Sequence, residues 1–590
     1  MNKLLLSLLY VFIASLSYAN ERPNIIILMT DDQGIGDLSC HGNPYLNTPN
    51  LDAFYDDAVR MTDFHVSPLC TPTRGAIMTG RYPINNGAWA TFKGRDVLSE
   101  GTTTMPGVFK QNGYKTAIFG KWHLGDNYPS RPTDCGFDVA VHHHSGGVGE
   151  LSDYWGNNYF DDMYFVNNVP TQFEGYCTDV WFSEAMKFMK NQKNEEEPFF
   201  IYLPTNAPHS PLAVADEYSA PFKELEGKKY YSANYMGMII NIDDNFGKLT
   251  KFLDDEDLAK NTILIFMTDN GTQYGYDEQK EWGHNKGFNG NKGGKLEGSH
   301  RVPFFIRWPN GKIKGGKDVN TLAAHVDMLP TLASLCNIDI SENMPLDGLD
   351  FSALLTDKKA KLQERTVFVH HRQDWRPPTP LQNTCLMKDD WRLVNGKELY
   401  DVVKDPKQKN NLYAKYPEIV DMLLEDNEKF IAQSKKNAVY NEIPVSVVGN
   451  PAQNEITLTV QHAIGEGPGI WQPEQVAAGM KNVNNTHALD VECDGWYEIS
   501  CCRWPKECPG PIVGVPAHNP KGGIYDYKVI SPNKVQISIA NQMFEKNIVE
   551  NDTSVSFKVY LSKGKTFLTN DFIEGKKKYG VYYTYVKFIE

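Results

Sequence analysis

The stretch Asn24-Ile25-Ile26-Ile27-Leu28-Met29, followed by Thr30-Asp31-Asp32, decides the fold class of this chain. An unbroken apolar run is typical of a strand buried on both faces, as in a parallel sheet covered by helices. Comparable runs recur at residues 116–119, 198–203, 262–267 and 302–306. We therefore predict a large central sheet that is mainly parallel.

Helical patterns lie between these strands. Thr48-Pro49 predicts the start of a helix, and apolar residues follow it at helical spacing. Residues 178–190 and 230–253 also carry apolar positions with a helical period. Strands that alternate with helices predict an α/β domain in which helices cover both faces of the sheet, and we assign residues 20–365 to it.

The sequence pattern changes at about residue 366. Two short strand patterns flank the hairpin turn Asn395-Gly396, and a helix is predicted near residues 415–433. We assign residues 366–445 to a small C-terminal α+β subdomain. Residues 446–590 carry short alternating strands, expected at 454–460, 525–540, 554–560 and 580–589, and predict an extra antiparallel β-sandwich domain.

The N-terminus has the pattern of a secretory signal peptide over residues 1–19. Lys3 provides a positive charge, an apolar run follows, and Ser17-Tyr18-Ala19 matches a cleavage site. No Cys stands at the cleavage point, and no later run approaches twenty apolar residues, so no membrane anchor is expected. We predict an exported protein, periplasmic or secreted.

Composition narrows the function classes. The 590 residues include 59 Lys and Arg against 73 Asp and Glu, a net charge of −14, which argues against a nucleic-acid partner. The same charge argues at first sight against an anionic substrate. However, the basic and acidic residues after position 450 nearly cancel, so the excess negative charge lies in the residues before it. Salt screens distant charges, so a substrate is affected by the charges of the binding site and not by the net charge of the protein.

Polar clusters follow four of the predicted strands. They are Asp31-Asp32, Lys121-Trp122-His123, Asn206 to His209, and Asp269-Asn270. The carboxyl ends of parallel strands meet at one edge of a sheet, so these clusters should converge. Asp31, Asp32, Asp269 and Asn270 form an all-oxygen ligand set, which favours Ca²⁺ over Mg²⁺ and disfavours zinc.

The segment Cys70-Thr71-Pro72-Thr73-Arg74, followed by Gly80-Arg81, resembles the Cys-x-Pro/Ala-x-Arg signature of the type I, formylglycine-dependent sulfatases. These are arylsulfatase-like members of the alkaline phosphatase superfamily. The resemblance extends from residue 23 to about residue 420, with the family's motifs in order. It implies an alkaline phosphatase-like fold and a sulfuric ester hydrolase that releases inorganic sulfate.

By this resemblance, a maturation enzyme oxidises Cys70 to formylglycine, whose hydrate supplies a gem-diol nucleophile at the metal. Cys70 then leaves nine cysteines for pairing, of which the cluster at residues 493–508 suggests one or two disulfides. By the same resemblance, Arg74 holds the hydrate, and Lys121 and Lys292 bind the sulfate group. His123 stabilises the diol and takes its proton when sulfate leaves, and His209 faces the leaving oxygen as a candidate general acid.

The resemblance has one departure. Ser299 replaces a glycine in Glu-Gly-Ser, and Lys295 competes with Lys292 for the second sulfate-binding position.

The expected substrate is a sulfated oligosaccharide or polysaccharide. Candidate pocket walls are the polar and aromatic residues His142, His143, His144, Trp155, Tyr176, His284, His370, His371, Arg372 and Trp375.

Three tryptophans of the β-sandwich, Trp471, Trp496 and Trp504, either bind carbohydrate on an aromatic face or belong to the sandwich core. A further alternative is that the sandwich only supports the catalytic domain. Two alternative functions stay open at the level of sequence. One is a phosphate or phosphonate ester hydrolase of the same superfamily. The other is a non-catalytic, exported glycan-binding protein.

Overall fold

A computed structural model describes residues 22–195, 197–516 and 525–590 of the chain. The predicted signal peptide, residues 1–19, lies outside these ranges. Within them, the helices are all too short or too polar to cross a membrane.

A ten-stranded sheet forms the centre of the first domain. In chain order its strands are β1 (Asn24–Thr30), β2 (Val59–Met61), β3 (Lys115–Lys121), β4 (Val139–His143), β5 (Met163–Val166), β6 (Val169–Gln172), β7 (Phe199–Pro204), β8 (Thr262–Thr268), β9 (Phe304–Arg307) and β10 (Lys317–Val319). Their order across the sheet is β10-β2-β9-β8-β1-β7-β3-β4-β5-β6. The five strands from β8 to β4 run parallel, and antiparallel pairs lie on both sides of them.

Strand β1 is buried on both faces, as its apolar run predicts. Ile25, Ile27 and Met29 pack into the core on one side of the sheet, and Ile26 and Leu28 pack into the core on the other side. Because side chains alternate along a strand, both faces of β1 need a cover, and helices provide it.

The helices pack on the two faces of the sheet and in the later domains. They are α1 (Pro49–Asp57), α2 (Cys70–Thr79), α3 (Pro83–Asn86), α4 (Met105–Gln111), α5 (Cys177–Glu195), α6 (Asp216–Ser219), α7 (Ala233–Asp255), α8 (Glu297–His300), α9 (Met328–Leu335), α10 (Ser352–Thr356), α11 (Pro417–Ser434), α12 (Ala438–Asn441) and α13 (Pro473–Ala477). Helices α5 and α7 cover one face, and helices α2, α4 and α9 cover the other.

The α+β subdomain contains an antiparallel sheet of four strands, β11 (Val367–His370), β12 (Thr384–Lys388), β13 (Trp391–Val394) and β14 (Glu398–Asp401). Asn395 and Gly396 form the predicted turn, and both have positive φ, 52° and 64°. Helix α11 packs its buried Val420 and Leu423 against this sheet.

The last domain is a β-sandwich of two sheets around one core. One sheet contains β15 (Ser446–Val448), β17 (Thr486–Val491), β19 (Lys534–Ile539), β20 (Gln542–Asn547), β22 (Gly564–Glu574) and β23 (Lys577–Gly580). The other contains β16 (Glu455–Thr459), β18 (Gly495–Cys502), β21 (Ser554–Leu561) and β24 (Tyr583–Phe588). Every pair is antiparallel except β15 with β17, which is parallel.

The predicted fold class is confirmed, with three local differences. The run at 302–306 becomes β9, which pairs antiparallel with β8 instead of extending the parallel core. The strand expected over 525–540 is limited to β19 in the described residues. Cys493, Cys501 and Cys502 carry free thiols, so none of these three forms the bridge expected in the cluster at 493–508.

Candidate active site

The polar clusters at the strand ends converge at one edge of the sheet, as predicted. Lys121 is the last residue of β3, and Asp31 and Asp269 directly follow β1 and β8. The ammonium Nζ of Lys121 lies 2.5 Å from Oδ2 of Asp31, and both side chains are fully buried. The convergence follows from the strand order, since β1 separates β8 from β7 and β7 separates β1 from β3.

Two residues of the site have a backbone conformation that is uncommon for non-glycine residues. Asp32 has a φ of 64° and His123 a φ of 57°. The backbone N–H of Asp32 donates to Oδ1 of Asp269 at 3.1 Å. Left-handed backbone at buried polar residues is concentrated at functional sites, because the surrounding structure must compensate for its cost.

Cys70 is the first residue of helix α2, and every residue of this helix is buried. Its side chain therefore lies at the positive end of the helix dipole, where backbone N–H groups favour an anion. Burial raises the pKa of the Cys70 thiol, although Lys121 and Lys292 act in the opposite direction.

Arg74, one turn along the helix, connects the carboxylates to the nucleophile position. Its guanidinium donates to Oδ2 of Asp269 at 2.8 Å and to the carbonyl oxygen of Lys121 at 3.0 Å. Burial opposes its charge, but Tyr202 and the two carboxylates of Asp269 and Asp31 outweigh burial and raise the pKa of Arg74. Arg74 is thus a permanent buried cation.

Lys292 reaches the same site from the loop that precedes helix α8. Its Nζ lies 2.7 Å from Oδ1 of Asp32, and Nε2 of His209 lies 3.7 Å from Oδ2 of the same carboxylate. Burial opposes the charge of Asp32, but Lys292 and His209 outweigh it and lower the pKa to about 2. Lys292 lines the pocket next to Cys70 that is described below, and Lys295, its alternative in the sequence, does not.

The cluster of buried carboxylates and Asn270 contains oxygen atoms that make no hydrogen bond within the described part of the chain. Oδ1 of Asp31 and Oδ1 of Asn270 are buried and have no hydrogen-bond partner among the described residues. One ligand atom each of Asp31, Asp269 and Cys70 lies within 4.8 Å of the others. Burial and the neighbouring Asp31 raise the pKa of Asp269 to about 7, despite Arg74 and Lys121. An additional hard cation fits this oxygen-rich group.

The hydrogen bonds of His123 identify its tautomer. Nε2 lies 3.2 Å from the carbonyl oxygen of Thr91, which can only accept, so Nε2 carries the proton. Nδ1 then presents its lone pair to Sγ of Cys70 at 3.3 Å. Burial, Lys121 and Arg74 lower the pKa of His123, so the ring is neutral and Nδ1 can accept a proton from the side chain at position 70.

A pocket of about 260 Å³ lies next to Cys70, and Cys70, Asp32, His123, His209 and Lys292 are among the residues that line it. Sequence reasoning missed most of its outer wall, which is formed by Phe92, Glu150, Tyr274, Gln373, Gln461 and Trp471. None of these residues stands in a strand-end cluster, so no periodic signal marks them. Trp471 is the exception, since it is one of the three sandwich tryptophans for which the sequence leaves open either carbohydrate binding or a place in the core.

The wall residues expected from the sequence lie elsewhere. His142 and His143 are buried in β4, where burial lowers the pKa of His142 to about 3. Trp155 packs edge to face against Trp504 in the sandwich core, and Tyr176 is also buried. The other expected wall residues, His144, His284, His370, His371, Arg372 and Trp375, are likewise absent from the residues that line the pocket.

A second cluster, His65, Glu297 and His300, also has the composition of a metal site. Its ligand atoms are already in use. Glu297 pairs with Arg392 at 2.8 Å and with Arg301 at 2.9 Å, and His65 bonds both Asp63 and His300 at 2.9 Å. Two guanidinium groups on one carboxylate indicate a structural ion network that fixes the loop carrying Lys292.

Comparisons with known proteins agree with this geometry. A family profile described as Sulfatase matches residues 23–338, and one described as N-sulphoglucosamine sulphohydrolase, C-terminal, matches residues 291–434. N-acetylgalactosamine-6-sulfatase of Rattus norvegicus is 30% identical over 372 residues, which is 60% of this chain and 69% of that protein. Arylsulfatase J of Mus musculus is 27% identical over 526 residues, 79% of this chain and 82% of that protein.

A solved structure shares the fold. Ps i-CgsB in complex with k-i-k-neocarrahexaose superimposes with a TM-score of 0.63 and 26% sequence identity, and the match covers 72% of this chain and 95% of that one. The family profiles end at residue 434, before the β-sandwich begins.

Proposed function

This chain belongs to the sulfatase family, and we propose that it releases inorganic sulfate from a sulfated saccharide through a formylglycine made from Cys70 and a bound Ca²⁺. The observation that carries the proposal is the position of Cys70. It stands at a helix N-terminus, beside Asp31 and Asp269 and 3.3 Å from the accepting nitrogen of His123.

The residues proposed to hold the cation are Asp31, Asp32, Asp269 and Asn270, with the modified side chain at position 70. Sγ of Cys70 stands in for the oxygen that a formylglycine hydrate would present there. The buried, unpartnered oxygens of Asp31 and Asn270 support this assignment. When bound, Ca²⁺ would supply positive charge that stabilises the sulfuryl oxygens in the transition state.

The nucleophile is proposed to be one hydroxyl of the hydrated aldehyde at position 70. Arg74 holds this end of the site through Asp269, and His123 is placed to take the proton of the second hydroxyl when sulfate leaves. A gem-diol allows that release, because loss of this proton reforms the aldehyde.

Lys121 and Lys292 are proposed to bind the sulfate group from two sides. Both are paired with carboxylates, Lys121 with Asp31 and Lys292 with Asp32. Lys292 lines the open pocket, whereas Lys121 is fully buried and is not among the lining residues, so its charge would act on the sulfate group from behind the pocket surface. Preorganised cations in a buried site stabilise charge that spreads over the sulfuryl oxygens, and they require no reorganisation during the reaction.

His209 is proposed as the general acid for the leaving oxygen. Its Nδ1 lies 2.7 Å from the carbonyl oxygen of Ser210 and donates to it, so Nε2 faces the pocket. Burial and Lys292 lower the pKa of His209 to about 4 in the free enzyme. A bound sulfate group brings negative charge next to the ring and favours the protonated form that the role requires.

A saccharide substrate is supported by two comparisons, the relative named N-acetylgalactosamine-6-sulfatase and the neighbour bound to k-i-k-neocarrahexaose. We further propose that the protein is exported through residues 1–19 and meets its substrate in the periplasm or outside the cell, after a maturation enzyme has modified Cys70.

The test has two parts. Mass spectrometry of residue 70 in the native protein distinguishes an aldehyde from a thiol. Sulfate release is then measured on N-acetylgalactosamine 6-sulfate, k-i-k-neocarrahexaose and a paired aryl sulfate and aryl phosphate. Sulfate release from a saccharide with an aldehyde at position 70 supports the proposal. A preference for the phosphate, or an unmodified thiol in the active enzyme, overturns it.

A further inference from the structure

We infer that the β-sandwich forms a wall of the active site, and that Trp471 and Phe92 form an aromatic platform for a sugar ring of the substrate. Glu150, beside them, would accept hydrogen bonds from the hydroxyls of that ring. This inference rests on the proposed function, since it names the part of the saccharide that the pocket recognises.

Trp471 comes from the segment before helix α13 and lines the same pocket as Cys70. Its ring lies 5.3 Å from the ring of Phe92, inclined by 54°, and 40% of the residue is exposed. Two aromatic rings that meet at an angle in a pocket, one of them partly exposed, are suited to the apolar C–H face of a pyranose.

The backbone next to Trp471 is fixed against the catalytic domain. The N–H of Leu151 donates to the carbonyl oxygen of Trp471 at 2.8 Å. At Gly469, an added Cβ would meet the ring of Phe92 at 2.3 Å, so this close approach requires glycine. The platform is therefore assembled from both domains with little freedom between them.

Glu150 provides the polar part of the site. Its Oε2 accepts from the hydroxyl of Ser145 at 2.8 Å, from the N–H of Gly146 at 3.2 Å and from the amide of Gln461 at 3.1 Å. Glu150 lines the pocket, and its Oε1 takes part in none of these three hydrogen bonds. Gln461, a residue of the sandwich, thus helps to orient a carboxylate that has one oxygen left for a ligand.

The sandwich is docked too firmly to act as an independent module. Leu151 and Trp155 of the catalytic domain belong to the sandwich core, and the hydroxyl of Tyr583 donates to the carbonyl oxygen of Leu151 at 3.0 Å. His462 of the sandwich bonds Asp96 of the catalytic domain at 2.6 Å. These contacts fix Trp471 and Gln461 relative to the nucleophile.

The other two tryptophans of the sandwich do not contribute to this site. Trp504 is buried in the core, and Trp496 lies in β18, outside the pocket. Trp496 is 39% exposed, nearly the same as Trp471, so it provides a matched control. Trp471 and Gln461 follow the last residue matched by the family profiles, so they lie outside the part of the chain that those profiles describe.

The experiment compares Trp471→Ala, Trp471→Phe and Trp496→Ala in the full-length, modified enzyme. KM and kcat are measured on N-acetylgalactosamine 6-sulfate, on k-i-k-neocarrahexaose and on methyl sulfate, which has no ring. For the saccharide that the unaltered enzyme hydrolyses, Trp471→Ala should raise KM by about ten-fold, with a smaller effect on kcat. Trp471→Phe should recover most of the loss, and Trp496→Ala should behave like the unaltered enzyme.

The outcomes separate the two proposals. If the unaltered enzyme cleaves the aryl sulfate but neither saccharide, the proposed saccharide function fails and the platform with it. If it cleaves a saccharide and Trp471→Ala loses no more than Trp496→Ala, the platform alone is wrong. Equal losses by Trp471→Ala on the saccharide and on methyl sulfate also overturn the platform. Melting temperatures of all variants identify a folding defect. If Trp471→Ala is unfolded, Trp471→Leu, which keeps most of the side-chain bulk without the aromatic face, carries the test and should raise KM on the saccharide in the same way.

Discussion

Sγ of Cys70 lies 3.3 Å from Nδ1 of His123, at the N-terminus of a fully buried helix. The proton on His123 is held at Nε2 by the carbonyl oxygen of Thr91, so the face turned toward residue 70 is an acceptor. This arrangement provides a base for the proton that the proposed hydrate at position 70 would lose when sulfate leaves.

Cys70→Ser tests the nucleophile. We expect the loss of sulfate release without unfolding, because the hydroxyl fills nearly the same volume but does not provide the hydrated aldehyde that returns to its starting form. Sulfate release and melting temperature measure the two effects. Normal sulfate release by this variant on any sulfate ester would exclude the formylglycine mechanism.

Lys292→Ala tests the assignment that the sequence left in competition with Lys295. Loss of one preorganised cation should reduce kcat/KM by about 100- to 1,000-fold, by analogy with the loss of an oxyanion-hole donor. Lys295→Ala is the control and should change kcat/KM little, since Lys295 does not line the pocket. The reverse ranking of the two variants would reassign the second sulfate-binding lysine.

Removal of the metal should abolish activity and lower stability together. Without a cation, the buried carboxylates of Asp31 and Asp269 repel each other, as the raised pKa of Asp269 indicates. Treatment with a chelator should stop sulfate release and lower the melting temperature, and Ca²⁺ should restore both. Full activity in protein that elemental analysis shows to be free of metal would contradict the assignment.

The contact between the domains should depend on pH. Burial opposes a charge on His462, but Asp96 and Asp126 outweigh it and raise its pKa to about 10. Because the folded pKa is above the unfolded value of about 6.5, the stabilisation is fully present below about pH 6.5 and is lost as the pH rises through about 10. The other titratable groups that face the ring are His144 and His487.

His462→Gln measures this contribution. The variant should melt at a lower temperature than the unaltered protein near pH 6.5, and the difference should shrink above about pH 10, where His462 is neutral in both states. Asp96→Asn should show the same convergence. A difference in melting temperature that is constant with pH would mean that the ion pair does not stabilise the docked sandwich.

The convergence of the proposed catalytic residues could be predicted, because the order of the strands determines where these residues meet. Asp31 and Asp269 follow neighbouring parallel strands, and Lys121 ends another strand of the same parallel core, so a sequence with recognisable strands already locates them at one edge. Cys70 and Arg74 are one turn apart on one helix. In both cases the local sequence pattern is sufficient to predict which side chains lie close together.

The substrate wall could not be predicted, because it depends on how two domains dock. Gln461 and Trp471 lie in the sandwich, while Glu150 and Phe92 lie in loops of the first domain, and no sequence period links them. The histidine run at 142–144 was misleading for a related reason. Residues 142 and 143 end a buried strand, where neighbouring strands and packing determine their environment.

The hydrogen bond from Tyr583 to Leu151 joins residues 432 positions apart in the chain. The reaction centre also depends on distant positions, since Arg74 and Asp269 are 195 positions apart and Lys292 and Asp32 are 260 apart. The entropic cost of closing a loop grows only slowly with its length, so neither part has a large advantage in assembly. Tyr583 lies in β24, so the loop that carries Leu151 and Glu150 takes part of its support from the last strand of the chain.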